Sequence, residues 1–372
     1  MKKIFIFFSF FIFYLIAIEL IIQQTQLTSK FGWQKKKSLS ERIENYESSN
    51  SLKKIVFIGD SMIEQFLDSN KNMIDISTQN FNKSNYDFFN FGFSGQGIPH
   101  YLKILTKIND KEKPHSVYIF IDNASDFLDY YLEAIEKSKE RKIDYSLIRD
   151  IDGDSFNLKN VLKNSILLNY IYRHFIKRYL KVDFGNSLKK NVDYLIKTLD
   201  VDEKYYLKNL SEVNEELYLN AQSDINNSFW MSISLTFREM KIENHLGYVK
   251  NKDLIDRFII DDFTYLTNFC KKNLISCNIV FLEDHLYLDS KYSNFYENLN
   301  FDFDHSLIGT KNYYQKLIEE FLKDKNIFTY DLLNNLKVDD YLYIKNDHHF
   351  NYLGHKLASK RLSKIFHDKY SD

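Results

Sequence analysis

The sequence has almost no excess charge of either sign. Its 372 residues include 50 lysines and arginines against 51 aspartates and glutamates, a net charge of −1. A protein that binds nucleic acid through the phosphates needs a basic excess or a basic stripe, so we predict no nucleic-acid partner. Proline (2) and glycine (10) are also scarce. Lysine, asparagine, isoleucine, phenylalanine and tyrosine are abundant instead, a bias that we attribute in part to the encoding genome.

Cysteine is equally rare, with only Cys270 and Cys277 in the chain. Two cysteines without histidines at a matching spacing do not make a zinc site. In an exported domain they can form a disulfide between the end of a helix and the next strand. They can equally be two small hydrophobic side chains, and the sequence leaves both interpretations open.

Disorder is excluded by the apolar content, because hydrophobic residues make up 44% of the chain and aromatic residues 16%. Such a chain can bury a sizeable core. At about 100–200 residues per domain, its length fits one large or two ordinary domains.

A long apolar run lies near the N-terminus, and no small-x-small cleavage site follows it. Residues 4–22 are interrupted by only two polar side chains, and two lysines precede them. About 20 apolar residues cross a bilayer, whereas a signal peptide usually has a shorter apolar region. A buried helix of the globular domain is disfavoured, since the run is apolar on every face. We therefore predict an uncleaved transmembrane anchor over residues 1–23, with the N-terminus in the cytoplasm and the remainder exported.

After a polar segment at 24–52, which we interpret as a linker, apolar runs alternate with amphipathic stretches. The runs are IVFI at 55–58, DFFNF at 87–91, VYIFI at 117–121, NIVFL at 278–282 and, more weakly, NIFTY at 326–330. The amphipathic stretches are 62–68, 97–108, 124–139, 253–273, 310–324 and 352–367. This alternation indicates a parallel sheet covered by helices on both faces. We predict an α/β domain over residues 53–372 with about five strands and with its site beyond the carboxyl ends of the strands.

The alternation is interrupted at about 141–250, a stretch rich in tyrosine, leucine, lysine and asparagine. We interpret it as a mostly helical insertion. Its aromatic residues at helical spacing are typical of core packing, and a substrate-facing lid is the alternative.

The first strand ends at Gly59–Asp60–Ser61, a triplet with two interpretations. Gly59 permits a tight turn, and a helix that begins after it would bring free backbone N–H groups next to Ser61. A serine held there can attack a carbonyl group while the helix end stabilises the oxyanion. Taken alone, the triplet is better explained as a helix cap.

The next two strands end in further candidate residues. Gly92, Gly95 and Gly97 crowd the loop NFGFSGQG at 90–97, where the Gly95 N–H can donate to an oxyanion. A flexible turn is the alternative. Asn123 stands at the tip of the third strand, with an amide that can also donate to developing negative charge. Asp122 and Asp126 are alternative tip residues, for which we expect structural roles.

Near the C-terminus, two histidines and a carboxylate precede an amphipathic helix in KNDHHFNYLGHKL. The neutral imidazole of His349 can accept the serine proton, and Asp347 can orient the ring and stabilise its cation. A metal site made of His348, His349 and His355 matches no closed zinc spacing. We therefore predict no metal and no cofactor.

Together, GDS at 59–61, NFGFSGQG at 90–97, Asn123 after an apolar strand and DHHFNYLG at 347–354 resemble the ordered blocks of the SGNH/GDSL-type hydrolases. The resemblance implies a flavodoxin-like three-layer α/β/α fold. It also implies Ser61 as nucleophile, His349 as base, and an oxyanion hole formed by the Ser61 N–H, the Gly95 N–H and the Asn123 amide.

The last block also bears on the subfamily, because Asp347 lies two residues before His349. That Asp-x-His-aromatic order is similar to polysaccharide O-acetyltransferases of the alginate-acetylation type. The third block departs from the family, since Ile121–Asp122–Asn123–Ala124 stands where Gly-x-Asn-Asp is usual.

We therefore predict a serine esterase or O-acyltransferase anchored in a bacterial inner membrane through residues 4–22, with its domain in the periplasm. Its substrate would be an acyl ester, above all an acetyl ester, of an extracytoplasmic glycan, attacked through an acyl-serine intermediate. A lipase-like or lysophospholipase-like esterase acting on a lipid is one alternative. A non-catalytic glycan-binding or assembly protein that retains the fold is another, because a fold alone does not establish chemistry.

Overall fold

The computed structural model describes most of the chain on either side of residues 131–251. The described residues are Tyr14, 38–51, 53–64, 72–79, 85–127, Tyr130, 252–297, 303–333, Leu336, 339–344 and 348–370. The predicted insertion at 141–250 lies outside them, and so does the predicted anchor at 4–22 except for Tyr14. None of the helices within the described residues is both long and apolar enough to cross a membrane.

Five parallel strands form one sheet in the order β2-β1-β3-β4-β5. The strands are β1 (Lys53–Gly59), β2 (Tyr86–Gly92), β3 (Ser116–Asp122), β4 (Ser276–Leu282) and β5 (Phe328–Asp331). This is the strand order of flavodoxin-like folds. The predicted parallel α/β sheet is confirmed, and the four stronger apolar runs fall within β1 to β4.

Helices cover this sheet. They are α1 (Leu39–Glu47), α2 (Met73–Thr78), α3 (Ile98–Lys111), α4 (Lys252–Asn273), α5 (His285–Leu288), α6 (Ser290–Glu297), α7 (Tyr313–Leu322) and α8 (Tyr352–Tyr370). Among these, α2 packs against α8, whereas α4 packs against α3 and α7. The central strands are buried along almost their whole length because helices lie over them.

The segment at 24–52 is not a linker throughout, because helix α1 lies within it. Ser38 caps the helix reciprocally with Glu41: the Ser38 hydroxyl accepts from the Glu41 N–H, and the Glu41 carboxylate accepts from the Ser38 N–H. Leu39, Ile43 and Tyr46 are buried. The Tyr46 ring meets Phe89 of β2 edge-on, with centroids 4.9 Å apart. Residues 38–51 therefore belong to the folded body.

The structure describes only the first residues of the amphipathic stretch at 62–68, for which the sequence predicts a helix. Residues 61–64 form a turn closed by the Glu64 N–H, which donates to the Asp60 carbonyl at 3.1 Å. Residues 65–70 lie outside the described residues, and the next helix, α2, begins at Met73. A turn thus follows Ser61 directly, and the rest of the predicted helix lies outside the described residues.

Cys270 and Cys277 form a disulfide, with their Cα atoms 6.2 Å apart. It joins the last turn of α4 to β4 across a short loop. Of the two interpretations that the sequence left open, the structure shows the cross-link.

Helix α8 is held against the sheet by an aromatic cluster. The Phe366 ring lies 5.2 Å from Tyr118, 5.5 Å from Phe57 and 6.3 Å from Phe88, measured between centroids. The Tyr370 hydroxyl is 3.0 Å from that of Tyr118. The cluster fixes α8 on the sheet and thereby brings the loop that precedes α8 to the carboxyl ends of the strands.

Candidate active site

The carboxyl end of β1 brings a hydroxyl group to an imidazole. The Ser61 Oγ atom lies 2.6 Å from the His349 Nε2 atom, although the two residues are 288 positions apart in the chain. Ser61 is only 9% exposed, and His349 is partly buried. The hydrogen bond is therefore screened from most of the solvent.

Local contacts hold Ser61 in this place. The Asp60 carboxylate accepts a hydrogen bond from the Met62 N–H at 2.8 Å and lies 3.2 Å from the Ser61 hydroxyl. A Cβ atom on Gly59 would come within 3.0 Å of the Phe120 side chain. The glycine lets the turn lie close to β3, and Asp60 acts as a local cap inside the turn.

His349 is held by the loop between Leu342 and α8. The Ile344 N–H donates to the His349 carbonyl at 2.8 Å, and an isolated antiparallel bridge joins Tyr343 to Phe350. Gly354 is required for this packing, because a Cβ atom there would lie 2.2 Å from the Leu342 carbonyl oxygen. Asp347, the predicted acid of the triad, lies outside the described residues.

The glycine-rich loop after β2 packs against the turn that carries Ser61. The Phe93 N–H donates to the Gly59 carbonyl at 2.9 Å, and a Cβ atom on Gly92 would lie 2.6 Å from the Ile63 side chain. Gly95 has a φ of +72°, which favours glycine, and it is exposed. The predicted oxyanion donor thus lies in a loop joined directly to the Ser61 turn.

Arg42 of α1 contributes to this loop, and the sequence analysis missed it. Its guanidinium donates to the carbonyls of Asn90 at 2.9 Å and Gly92 at 3.0 Å, and it covers the Phe93 ring at 4.2 Å. Glu64 makes a second contact with the loop, because its carboxylate accepts a hydrogen bond from the Ser94 N–H at 3.0 Å. The readable signal was the Ser-x-x-Glu capping box at Ser38, which marks a helix inside the polar segment.

Asn123, the other predicted oxyanion donor, has its side chain hydrogen-bonded to helix α7. Its side-chain Nδ2 donates to the Gln315 Oε1 atom of α7 at 2.8 Å, and its backbone N–H donates to the Leu282 carbonyl at 3.0 Å. The Asn123 Oδ1 atom is buried without a hydrogen-bond partner among the described residues. One amide hydrogen of Asn123 is thus used by Gln315, and the role of Asn123 as an oxyanion donor stays a prediction.

Asp122, the residue before Asn123, lies on the serine side instead. Its Oδ2 atom is 3.5 Å from the His348 Nε2 atom, and together with Asp60 these side chains form a buried group whose ligand atoms all lie within 4.8 Å of one another. Asp60 is 3%, Asp122 1% and His348 3% exposed. The sequence analysis gave Asp122 a structural role and did not connect it with His348.

The carboxyl groups below Ser61 carry raised pKa values. Burial raises the pKa of Asp60. Burial also raises the pKa of Asp122 well above its usual value, and the Asp60 charge raises it further. Asp126 behaves likewise, because burial is reinforced by the charges of Asp60 and Asp122. Three carboxyl groups thus share one poorly hydrated region.

His355, the third histidine of the last block, is buried one helical turn into α8. Burial, reinforced by the nearby His349, lowers the pKa of His355 to about 4. His355 is therefore a neutral side chain near pH 7.

Comparison with known proteins adds no relative. No family model matches the chain, and no curated protein matches it significantly.

A serine hydroxyl within hydrogen-bond distance of a histidine ring nitrogen is the geometry of an activated nucleophile. The imidazole can accept the hydroxyl proton as the oxygen attacks, and it can later return that proton to a leaving group.

Proposed function

We propose that this protein is a serine esterase or O-acyltransferase of the SGNH type, in which Ser61 attacks an acyl ester and His349 is the general base. The observation that carries the proposal is the distance of 2.6 Å between the Ser61 Oγ and the His349 Nε2 atoms. A structural serine and a surface histidine have no reason to meet across 288 residues at the carboxyl edge of a parallel sheet, the edge where such folds place their sites.

The reaction would proceed in two halves. The Ser61 oxygen bonds to the acyl carbon while its proton passes to His349 Nε2, and the tetrahedral intermediate then expels the alcohol, which takes that proton. In the second half, His349 deprotonates the acceptor as it attacks the acyl-serine, and the imidazolium then returns this proton to the Ser61 oxygen as the ester bond to Ser61 breaks. Water as acceptor makes the protein an esterase, and a sugar hydroxyl makes it an O-acyltransferase.

The oxyanion would be bound by backbone N–H groups in this proposal. Those of Ser61 and Gly95 are the candidates, because the Gly92–Gly95 loop is joined to the serine turn. Removal of one such donor in a serine hydrolase costs about 100-fold to 1,000-fold in turnover. The Asn123 amide is the weaker candidate, since it donates to Gln315. Asp347 remains the proposed acid partner of His349.

An acetyl ester of an extracytoplasmic glycan is the substrate that we propose. The Asp-x-His-aromatic block and the predicted anchor support it, and the disulfide between Cys270 and Cys277 fits an oxidising, exported compartment. Tyr341, Ile344 and Tyr352 are large apolar residues that are 46–56% exposed within the stretch around His349. In this proposal they are the exposed apolar surface near His349 in the chain on which a sugar ring or an acyl chain would lie.

The decisive test is covalent labelling of the full-length protein with a fluorophosphonate, followed by mass spectrometry of the adduct. We expect one adduct on Ser61, hydrolysis of p-nitrophenyl acetate, and loss of both in Ser61→Ala. Ser306→Ala is the matched control, because Ser306 is exposed on a short 3-10 turn at His305–Leu307.

Unchanged labelling in Ser61→Ala would contradict the assignment of the nucleophile. Absence of both labelling and hydrolysis in the folded wild-type protein would favour the non-catalytic alternative. A rate that rises from acetyl to octanoyl esters would replace the glycan substrate by a lipid.

A further inference from the structure

The group formed by Asp60, Asp122 and His348 lies directly below Ser61 and has no part in the proton transfer described above. It joins residues from three separate segments: the turn after β1, the tip of β3 and the loop before α8. We propose that these three side chains bind a divalent transition-metal cation.

The spacing of the ligand atoms is the first support. The distance of 3.5 Å between His348 Nε2 and Asp122 Oδ2 is long for a charge-assisted hydrogen bond, which is usually about 2.7–2.9 Å. Two ligands bound to one ion at about 2.0–2.2 Å and the tetrahedral angle lie about 3.5 Å apart. All three ligand atoms lie within 4.8 Å of one another, so small side-chain movements suffice to place them around one ion.

The donor set is the second support. Two carboxylate oxygens and one imidazole nitrogen form a mixed set that suits Zn²⁺, Mn²⁺ or Fe²⁺, whereas a set of oxygens alone would suit Mg²⁺ or Ca²⁺. Three protein ligands also leave further positions of the ion open, as in catalytic metal sites.

The charge of the region is the third support. Asp60, Asp122 and the adjacent Asp126 are all buried, and their hydrogen bonds come from neutral donors: the N–H groups of Met62, Asp122 and Ala124, and the hydroxyls of Ser61, Tyr101 and Ser125. Among the described residues, no lysine or arginine pairs with any of these three carboxyl groups. When these carboxyl groups are ionised, a divalent cation would offset their buried negative charge.

The site would also bear on acyl transfer, although cation binding does not depend on the proposed function. An oxyanion that forms at Ser61 lies beside Asp60, which shares the buried group with Asp122, and the charges of these carboxyl groups oppose it when they are ionised. A cation held by those carboxylates reverses the sign of the local field. In this way the chain would compensate for an Asn123 amide that is turned to Gln315.

Binding of the metal alone is the test. Full-length protein is stripped with EDTA, its affinity tag is removed, and it is titrated with Mn²⁺ while the free ion is measured by electron paramagnetic resonance. Competition with Zn²⁺ then follows. We expect one Mn²⁺ per chain, and an affinity reduced by about 10-fold or more in both Asp122→Asn and His348→Gln.

Two variants serve as controls. Asp262→Asn removes a buried carboxyl group of α4 that is bonded to Tyr130, and it should leave binding unchanged. His305→Gln removes an exposed histidine that lies 2.8 Å from Glu297, the surface pair at which adventitious metal would bind. Loss of binding in His305→Gln would overturn the proposal. It would also be overturned if the wild-type protein bound neither ion, or if Asp122→Asn and His348→Gln bound Mn²⁺ as the wild type does.

Ser61→Ala separates the cation site from the proposed function. It should bind Mn²⁺ normally while it loses labelling and hydrolysis. A wild type that binds Mn²⁺ without turning over any ester would contradict the proposed function and leave the cation site intact. A wild type that hydrolyses the ester but binds no metal would contradict the cation site and leave the proposed function intact.

Discussion

Asp122 and Asn123 are neighbours at the end of β3, yet their side chains go to different surroundings. Asp122 is the last residue of the strand, whereas Asn123 already lies in the turn that follows it. Asp122 accordingly meets His348, and Asn123 meets Gln315 of α7. A one-residue difference at a strand tip therefore decides which side chain faces the serine.

This placement predicts a structural role for Asn123. Asn123→Ala and Gln315→Ala remove the same buried hydrogen bond, so each should lower the free energy of unfolding by about 1–3 kcal/mol and leave the turnover of p-nitrophenyl acetate within a few-fold of wild type. Urea unfolding and steady-state kinetics on both variants are the measurements.

Comparison of the two variants distinguishes a structural role of Asn123 from a catalytic one. An oxyanion donor at Asn123 would cost about 100-fold to 1,000-fold in turnover in Asn123→Ala alone, with Gln315→Ala little affected. That pattern would restore the role that the resemblance implied for this residue.

At the scale of single residues, the sequence indicated Ser61 and His349, the two residues that the structure brings together. It gave no indication of the residues whose roles depend on contacts between distant segments. Ser61 and His349 could be chosen because each stands beside a strand end or helix start with the right neighbours. Asp122 could not be separated from Asn123, because the face of a residue just beyond a strand depends on where the strand ends. His348 could not be linked to Asp60, since nothing in the sequence pairs residues so far apart.

Among the helices and strands, too, some were predictable from the sequence and others were not. Strands that are buried on both faces leave continuous apolar runs, and these are visible without a partner sheet. Helix α1 was overlooked although its buried residues, Leu39, Ile43 and Tyr46, have helical spacing, because polar residues dominate the segment around them. The helix predicted after Ser61 stays a prediction, because only its first residues are described and Asp60 caps them through the Met62 N–H.

Helix α1 supports the glycine-rich loop through Arg42, which predicts an effect of Arg42→Met. Methionine keeps the apolar packing on Phe93 but leaves the carbonyls of Asn90 and Gly92 without their charged donor. We expect the free energy of unfolding to fall by about 1.5–3 kcal/mol. Turnover should fall as well, because Gly95 loses its fixed position. Urea unfolding and kcat measure the two effects.

Two further variants make this test specific. Arg257→Met changes an exposed arginine of α4 and should alter neither quantity. Arg42→Lys keeps the charge with fewer donors and should lie between wild type and Arg42→Met. Wild-type stability and turnover in Arg42→Met would show that α1 does not support the loop.

At the scale of the whole molecule, the site depends on packing between the two ends of the folded domain. His349 reaches Ser61 only because α8 is held on the sheet by Phe366 against Phe57 and Tyr118. Formation of the site therefore has to follow long-range closure of the chain. The sequence could place both residues at the same edge of a parallel sheet, but the aromatic contacts that bring them within hydrogen-bond distance have no local signature.

The buried His355 of α8 makes the stability of this assembly depend on pH. Its pKa is about 4 in the folded protein and about 6.5 in an unfolded chain. Between about pH 6.5 and pH 4, His355 therefore binds a proton in the unfolded chain but not in the folded protein. The stabilisation is complete above that pH and is lost as the pH falls toward 4. Between pH 7.5 and 5.0 the loss amounts to about 2 kcal/mol.

His355→Leu tests this linkage, because leucine has a similar volume and does not titrate. The buried carboxyl groups titrate alike in both proteins, so the difference between variant and wild type isolates the histidine. Urea unfolding at pH 7.5 and 5.0 should show a decrease in the free energy of unfolding that is smaller by about 2 kcal/mol in the variant. Equal decreases in the two proteins would mean that His355 binds its proton as readily in the folded protein as in the unfolded chain, which would contradict the lowered pKa.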